Sequence, residues 1–406
     1  MVLQLRSENL EETGLNMGIK IKSLPEDFVV EEIADLPLLE KGEFGVYLLR
    51  KKHWNTVGLL LELSNNLKIP LGDFSYGGKK DRHAMTSQYI TVKGRKIEEV
   101  KQEDYSLVFC GFMDRPMGPD LITANRFRVA VRNLSVEEAQ KAGQEAEAIK
   151  SPGFANYFDD QRFGSYDVLQ GFLAEKLLKG HDNGALKIYL TSFSAQDRKE
   201  DKQRKEYFSQ HWKDWAACRQ MAVTEFEKKS FNHLVRDPNG FLLLLKQIPR
   251  ERLSIYFSAY QAFIWNDCLR RIISRTAGDA LKVYSGVAGE YLFYSRINQE
   301  NLDYLLKLEI PTLAANLKIP DTLCAAIYAL LLEENGLKNP MFNKLKVRQA
   351  FFKSSLRCVT VKPGDFSWGI SDDQLNSGKK NLSLQFMLPR GSYGTMLVKR
   401  IFSKNL

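Results

Sequence analysis

The chain has few cysteines for its 406 residues, and no two of them stand close together. Cys110, Cys218, Cys268, Cys324 and Cys358 make no C-x-x-C pair, so neither a zinc site nor a disulfide framework is indicated. Unpaired thiols in a chain of this length point to a reducing, cytoplasmic compartment. The five histidines are scattered too and build no H-E-x-x-H. Neither a metal nor a cofactor is expected. Long apolar runs are also missing: the longest, Phe241–Leu245, falls far short of the ~20 residues that cross a bilayer. The N-terminus lacks the basic-then-apolar pattern of a signal peptide. A nucleotide-triphosphate loop is absent as well. Gly72, Gly77, Gly78 and Lys79 hint at one, but Gly78 stands where the lysine should be, and Lys80 and Asp81 follow Lys79 with no Ser or Thr to hold magnesium.

What is present is a surplus of positive charge. Lys and Arg number 58 against 49 Asp and Glu, a net charge of +9, and the pI is about 9.1. That balance favours an anionic partner, nucleic acid before a membrane surface. Apolar content of 44% and charged content of 26% are ordinary for a globular protein. The length allows two or three domains, each with its own core.

The densest chemistry lies in Tyr76–Gln88. Gly77 and Gly78 free the backbone to turn tightly. Asp81 then sits among Lys79, Lys80, Arg82 and His83, and nearby cations keep a carboxylate ionised. An ionised Asp on such a turn suits nucleophilic or base chemistry on a polyanion. On composition alone a solvated, charged turn is the simpler reading.

Residues 19–33 read as strand, turn and strand, with Pro25 at the turn. Lys51, Lys52 and His53 follow a short apolar strand and are expected to face phosphate. Asn55 and Thr56 open a helix whose apolar face is read as Val57, Leu60, Leu61 and Leu63 or Leu59. Residues 88–92 leave the central turn as a strand. In 126–132, Phe127, Val129 and Val131 alternate with Arg126, Arg128 and Arg132, so Asn125 and Phe127 share one face. The plain reading makes Phe127 core and the arginines a solvated face. Ser135 and Glu138 form a capping box. Residues 156–164 are a loop in which Arg162 either contacts phosphate or braces against a carboxylate such as Asp160. From 166 to 350 the pattern is mostly helical, including 256–273, 298–309 and 321–334. The mixed charges of 196–215 read as a solvated helix. Strands return in 357–361 and 382–388, followed by a last helix opened by Gly391 and Ser392, where Arg390 could help receive a phosphate.

Five motifs carry a family resemblance. Gly78, Lys80, Asp81, Ala84, Thr86 and Gln88 stand in the G-x-K-D-x-x-A-x-T-x-Q signature of the TruD family of pseudouridine synthases. Lys22, Pro25, Glu26, Asp27 and Phe28 resemble its K-x-x-P-E-D-F. Asn125 and Phe127 resemble G-N-x-F, with Ala124 in place of the glycine. Asn156, Tyr157 and Phe158 with Gln161–Gly164 resemble N-Y-F-G-x-Q-R-F-G, with Asp159 in place of the first glycine. Leu388–Tyr393 resembles L-P-x-G-S-F/Y. The stretch Ala259–Asn266 is similar to the family's central helix. The matches run in the family's order along nearly the whole chain.

The resemblance implies an α+β protein. Residues 1–160 and 351–406 would form a discontinuous pseudouridine-synthase domain, with a mixed, largely antiparallel sheet flanked by helices. Residues 161–350 would be a helix-rich α/β insertion. It also implies conversion of a uridine within RNA, most expectedly tRNA at position thirteen, without metal or cofactor; a monomer that touches no membrane is the default expectation. Asp81 is the implied catalytic carboxylate. Phe28, Phe127 and Tyr393 are the implied stacking rings, Asn125 the amide that binds uracil, and Lys22 or Lys80 the cation that keeps Asp81 ionised. Basic groups along a cleft would hold phosphates. A noncatalytic RNA-binding protein of the same fold is the rival reading. An RNA methyltransferase would need a glycine-rich cofactor loop that the sequence does not contain.

Overall fold

The structure, a computed structural model, describes residues 20–94, 96–194, 197–349 and 351–406. Ile19 and the N-terminal stretch inspected for a signal peptide lie outside the described residues. The chain divides into two compact units. One runs up to Phe154 and takes in Val361–Phe402; the other holds Ala155–Thr360 and Ser403–Leu406.

The first unit is built on a ten-stranded sheet. Its strands are β1 (Lys20–Ile21), β2 (Phe28–Ala34), β3 (Phe44–Lys51), β4 (Phe74–Tyr76), β5 (Met85–Lys93), β6 (Val100–Lys101), β7 (Tyr105–Met113) and β8 (Ile122–Leu134). Two more, Gly364–Asp372 and Lys380–Pro389, come from the other end of the chain. The order is Gly364–Asp372, Lys380–Pro389, β8, β2, β5, β3, β7, β6, with β1 on β8 and β4 on β5. β2 and β5 run parallel; the other described pairings in this sheet are antiparallel. The fold is therefore α+β with a mixed, largely antiparallel sheet.

Alternation explains β8. Phe127, Val129 and Val131 are buried, while Arg128 reaches an exposed pair with Glu31. Arg132 departs from the expected solvated face. It is buried between Asp27 and Asp373. Leu382, Leu384, Phe386 and Leu388 are likewise buried along their strand. Gly364–Asp372 went unread in the sequence because it is an edge strand with little inward face, mostly exposed along its length.

The helix Thr56–Leu67 is capped by Asn55, which accepts from the Gly58 N–H at 2.7 Å. Its buried face is Thr56, Leu59, Leu60 and Leu63, not one through Val57 and Leu61, which are exposed. Positions i, i+3, i+4 and i+7 share a helix face, and here Thr56 must point inward to meet Gln88. The capping box of Ser135 and Glu138 opens the helix Val136–Ile149 as expected. Gly143 lets that helix lie against Trp368; a Cβ there would come within 2.7 Å of the indole.

The second unit is mainly helical. Its longest helix, Arg250–Thr276, buries Tyr260 and Trp265 as core. Asn298 and Asp321 cap the helices Gln299–Lys307 and Thr322–Glu334. A hairpin, Leu281–Gly286 with Gly289–Tyr294, joins Lys404–Asn405 in a three-stranded sheet. In the charged helix Lys199–Gln210, Phe208 is buried and Arg204 pairs with both Asp201 and Glu227.

The N-Y-F motif is scaffold for this unit. Arg357 donates to the Asn156 carbonyl and side chain at 2.7 and 2.8 Å. Asn266 brackets the Phe158 backbone at 2.9 and 2.8 Å. Asp160 accepts from the Val287 N–H and the Tyr291 hydroxyl, and the Arg162 guanidinium lies 5.6 Å from the Phe158 ring centre. Asp159 has φ −77°, a value that needs no glycine. No helix of the described residues is long and apolar enough to cross a membrane.

Candidate active site

The site begins with the turn between β4 and β5. Gly77 is needed for close approach: a Cβ there would sit 2.4 Å from the Ile122 side chain and 2.9 Å from the Gly118 carbonyl. The turn is then tied down at successive backbone groups. Gln88 donates to the Gly78 carbonyl at 3.1 Å and accepts from the Thr56 hydroxyl at 2.8 Å. The Thr56 oxygen in turn accepts from the Lys80 N–H at 2.9 Å. Lys51 reaches from the end of β3 and donates to the carbonyls of Asp81 at 2.8 Å and Trp54 at 2.7 Å. A backbone held at this many points presents its side chain in a fixed direction.

That side chain is Asp81, with a quarter of its surface exposed. One carboxylate oxygen is paired with the Lys22 ammonium. The other accepts from the His83 N–H at 3.0 Å. Burial pushes its pKa up, but the Lys22 charge and hydrogen bond and the His83 N–H outweigh it, leaving the carboxyl below its ordinary value. Lys22 holds this position in the left-handed region, at φ 64°. For a residue with a Cβ that conformation costs about 1–2 kcal/mol, and such strain is kept where geometry matters to function.

Lys22 also lies 4.5 Å from the centre of the Phe28 ring. Phe28 meets Phe127 edge to face at 6.2 Å, and Phe127 stacks on Phe386 at 5.2 Å. Tyr393 comes to this cluster through its neighbour. It precedes the helix Gly394–Ile401, whose Gly394 packs on the Phe127 ring; a Cβ there would lie 2.7 Å from the ring carbon. Asn125 is two residues before Phe127 on β8. Its Oδ1 accepts from Lys80 at 2.5 Å. Lys80 in turn pairs with the buried Glu32 at 2.9 Å, which also accepts from the Tyr89 N–H. Ala124 pairs with Pro389 and Ile33, and the β2–β8 register shifts just beyond it, between Ile33 and Ala34.

One open choice is resolved and one expectation is corrected. Of the two cations considered for Asp81, Lys22 makes the contact; Lys80 is turned to Glu32 and Asn125. Lys51 does not face phosphate: it is buried, and desolvation pulls its pKa down to about 8 despite the Asp81 charge. Lys52 pairs with Asp104. Glu32, Lys51, Thr56 and Gly394 went unremarked for the site. The signal was present for two of them. Glu32 follows Phe28 and Val30 on the inward face of β2, and Lys51 follows Tyr47 and Leu49 on that of β3. A charge in a core register has to be paired inside.

Replacing Lys51 by Met tests the clamp. It would leave two inward carbonyls without their donor, and each such loss costs roughly 1–3 kcal/mol. The turn should loosen, and small displacements of a reacting group can cost about a hundredfold in rate. We expect kcat to fall about ten- to a hundredfold, with KM for RNA changed much less. Steady-state kinetics at matched folded fraction decide this; an unchanged kcat would remove Lys51 from the machinery.

The chain is similar throughout to known proteins. The family model for tRNA pseudouridine synthase D (TruD) matches residues 10–401. The tRNA pseudouridine synthase D of Aquifex aeolicus is 30% identical over 401 residues, covering 96% of this chain and 100% of the relative. That of Leptospira interrogans is 30% identical over 397 residues, covering 95% and 96%. A crystal structure from Methanosarcina mazei carrying the same family name superposes with a TM-score of 0.72 at 24% identity, over 97% of this chain and 98% of that one.

Proposed function

The chain belongs to the TruD family of tRNA pseudouridine synthases, and on that footing we propose that Asp81 is the carboxylate with which it isomerises one uridine of tRNA, at position thirteen. The enzyme is an isomerase. The reaction exchanges the N1–C1′ bond of the uridine for a C5–C1′ bond; C5 gives up a proton and N1 gains one. The observation that carries the reading is the partly exposed Lys22–Asp81 pair beside Phe28.

Each group has a task in this reading. Asp81, kept ionised by Lys22 and the His83 N–H, attacks the sugar or the base or takes a proton from the sugar. The uridine must leave its stack to reach it, at a cost of a few kcal/mol. Stacking on aromatic rings offsets that by about 1–3 kcal/mol per base. Tyr393, half-buried, offers a ring; Phe28 is buried, and Phe127, supported by Phe386, backs it. Asn125 binds the uracil edge. Phosphates are drawn by exposed cations such as Lys246, Lys344, Lys346 and Arg348, which line one concavity of the helical unit, and this attraction weakens with salt. The protein works in the cytoplasm as a monomer and needs no cofactor.

Mapping pseudouridine in tRNA transcripts incubated with the purified protein, and in tRNA from cells lacking it, tests the proposal. One new pseudouridine at position thirteen is expected in vitro, and its loss in the cells. Product only at another position would overturn the site; no product in any tRNA would overturn the activity.

A further inference from the structure

The geometry points to Glu32 and Lys80 as a lock that fixes which way the Asn125 amide faces, and so makes the pocket select uracil over cytosine. This rests on the reading of the site given above and adds the determinant of its base choice.

Glu32 and Asn125 are direct cross-strand neighbours in the β2–β8 register, so their side chains share one face. Glu32 is buried; one carboxylate oxygen accepts from the Tyr89 N–H at 3.0 Å, and the other, without a hydrogen-bond donor among the described residues, lies in an ion pair 2.9 Å from the Lys80 ammonium. Lys80 then donates to Asn125 Oδ1 at 2.5 Å. An ammonium has donors only. It can tolerate the amide oxygen beside it but not the amide NH2, so the carboxamide cannot rotate by a half-turn without setting two donors against each other. Among the described residues, nothing accepts from Asn125 Nδ2.

The amide therefore offers a base one fixed pattern: Nδ2 as donor, beside the second lone pair of Oδ1 as acceptor. Uracil complements it with a carbonyl oxygen next to the N3–H. Cytosine presents the reverse at N4 and N3, a donor next to an acceptor. A freely rotating Asn would accommodate either base; a locked one rejects the second. Glu32 is a positioning residue here. It holds the ammonium in place and neutralises it, and it touches no substrate.

The test is the affinity of one target RNA carrying U or C at the modified position, measured for the wild type and variants, with pseudouridine formation recorded in parallel. Wild type should bind the U form at least about tenfold more tightly, the weight of one good hydrogen-bond match. Glu32→Gln with Lys80→Met removes both charges together, which spares the fold an unpaired buried ion. In that double variant the preference should fall to within about twofold, as the fixed hydrogen-bond pattern is lost. Asn125→Asp has the same shape and keeps the Lys80 contact but has no donor. It should lose affinity for the U form while its melting temperature holds. A double variant that keeps the full preference for U, or an Asn125→Asp that binds U as well as wild type, overturns the lock. Absence of pseudouridine from the wild type would instead overturn the enzymatic reading.

Discussion

Asp81→Asn should abolish pseudouridine formation, lowering the rate by roughly a thousandfold or more, about 4 kcal/mol of barrier. The asparagine keeps the size of the aspartate and an oxygen to accept from Lys22 or the His83 N–H, so folding should be little affected. What disappears is the charge. A primer-extension or mass-spectrometric count of product per enzyme would read this directly, and a rate above a tenth of wild type would rule Asp81 out. The pH profile gives a second reading of the same group. Lys22 and His83 hold the carboxyl below its ordinary value. The active, ionised form therefore persists as pH falls through about 4, where an unperturbed Asp would protonate, and activity is lost only below that. In Lys22→Met the opposing charge is gone and burial acts with less resistance. The acid limb should move upward, toward neutral.

The second large effect is on stability. Arg132 lies buried between Asp27 and Asp373, with contacts of 2.8 to 2.9 Å to both. Asp27 also accepts from the Leu24 N–H, which fixes the turn that carries Lys22 and Phe28. Arg132→Met would leave two carboxylates buried without their counter-ion. Breaking such a pair from one side typically costs about 3–5 kcal/mol, which for a unit of this size lowers Tm by about 10 °C. Calorimetry would measure it; a shift under a third of that would mean the network is dispensable. The same network sets the acid sensitivity. Burial raises the Asp373 pKa, but the N–H groups of Asn133 and Leu375, the Asn376 amide and Arg132 together drive it far below the usual carboxylate range. A carboxyl lowered in the folded state contributes stability above its unfolded pKa of about 4. That contribution is lost as pH falls further, through the folded value. Lys51 acts in the same pH sense, but in an alkaline window. Its lowered pKa means that, from about 8 up to the unfolded value of about 10.4, the unfolded chain holds more protons. Stability from this group therefore rises with pH across that window.

Much of the architecture could be read in advance, and for local reasons. Alternation in β8 and in Lys380–Pro389, and the caps at Asn55 and Ser135, are rules of near neighbours, and they held in the structure. The motif residues themselves were visible because glycine, carboxylate and amide at set spacings do not arise from core packing alone.

Sequence by itself therefore determined the strands with an alternating face, the caps and the identity of the chemical groups. Tertiary structure alone decided which groups meet. Asp81 stands between Lys80 and Arg82 in the chain, yet its ammonium partner is Lys22, 59 positions away. Lys80, next door, is committed to Glu32 and Asn125. Adjacent side chains on an extended turn leave the backbone in different directions, so proximity in sequence does not make a pair. The partner is whatever the sheet carries to that point, and only the strand order and register of β1, β2, β5 and β8 specify it.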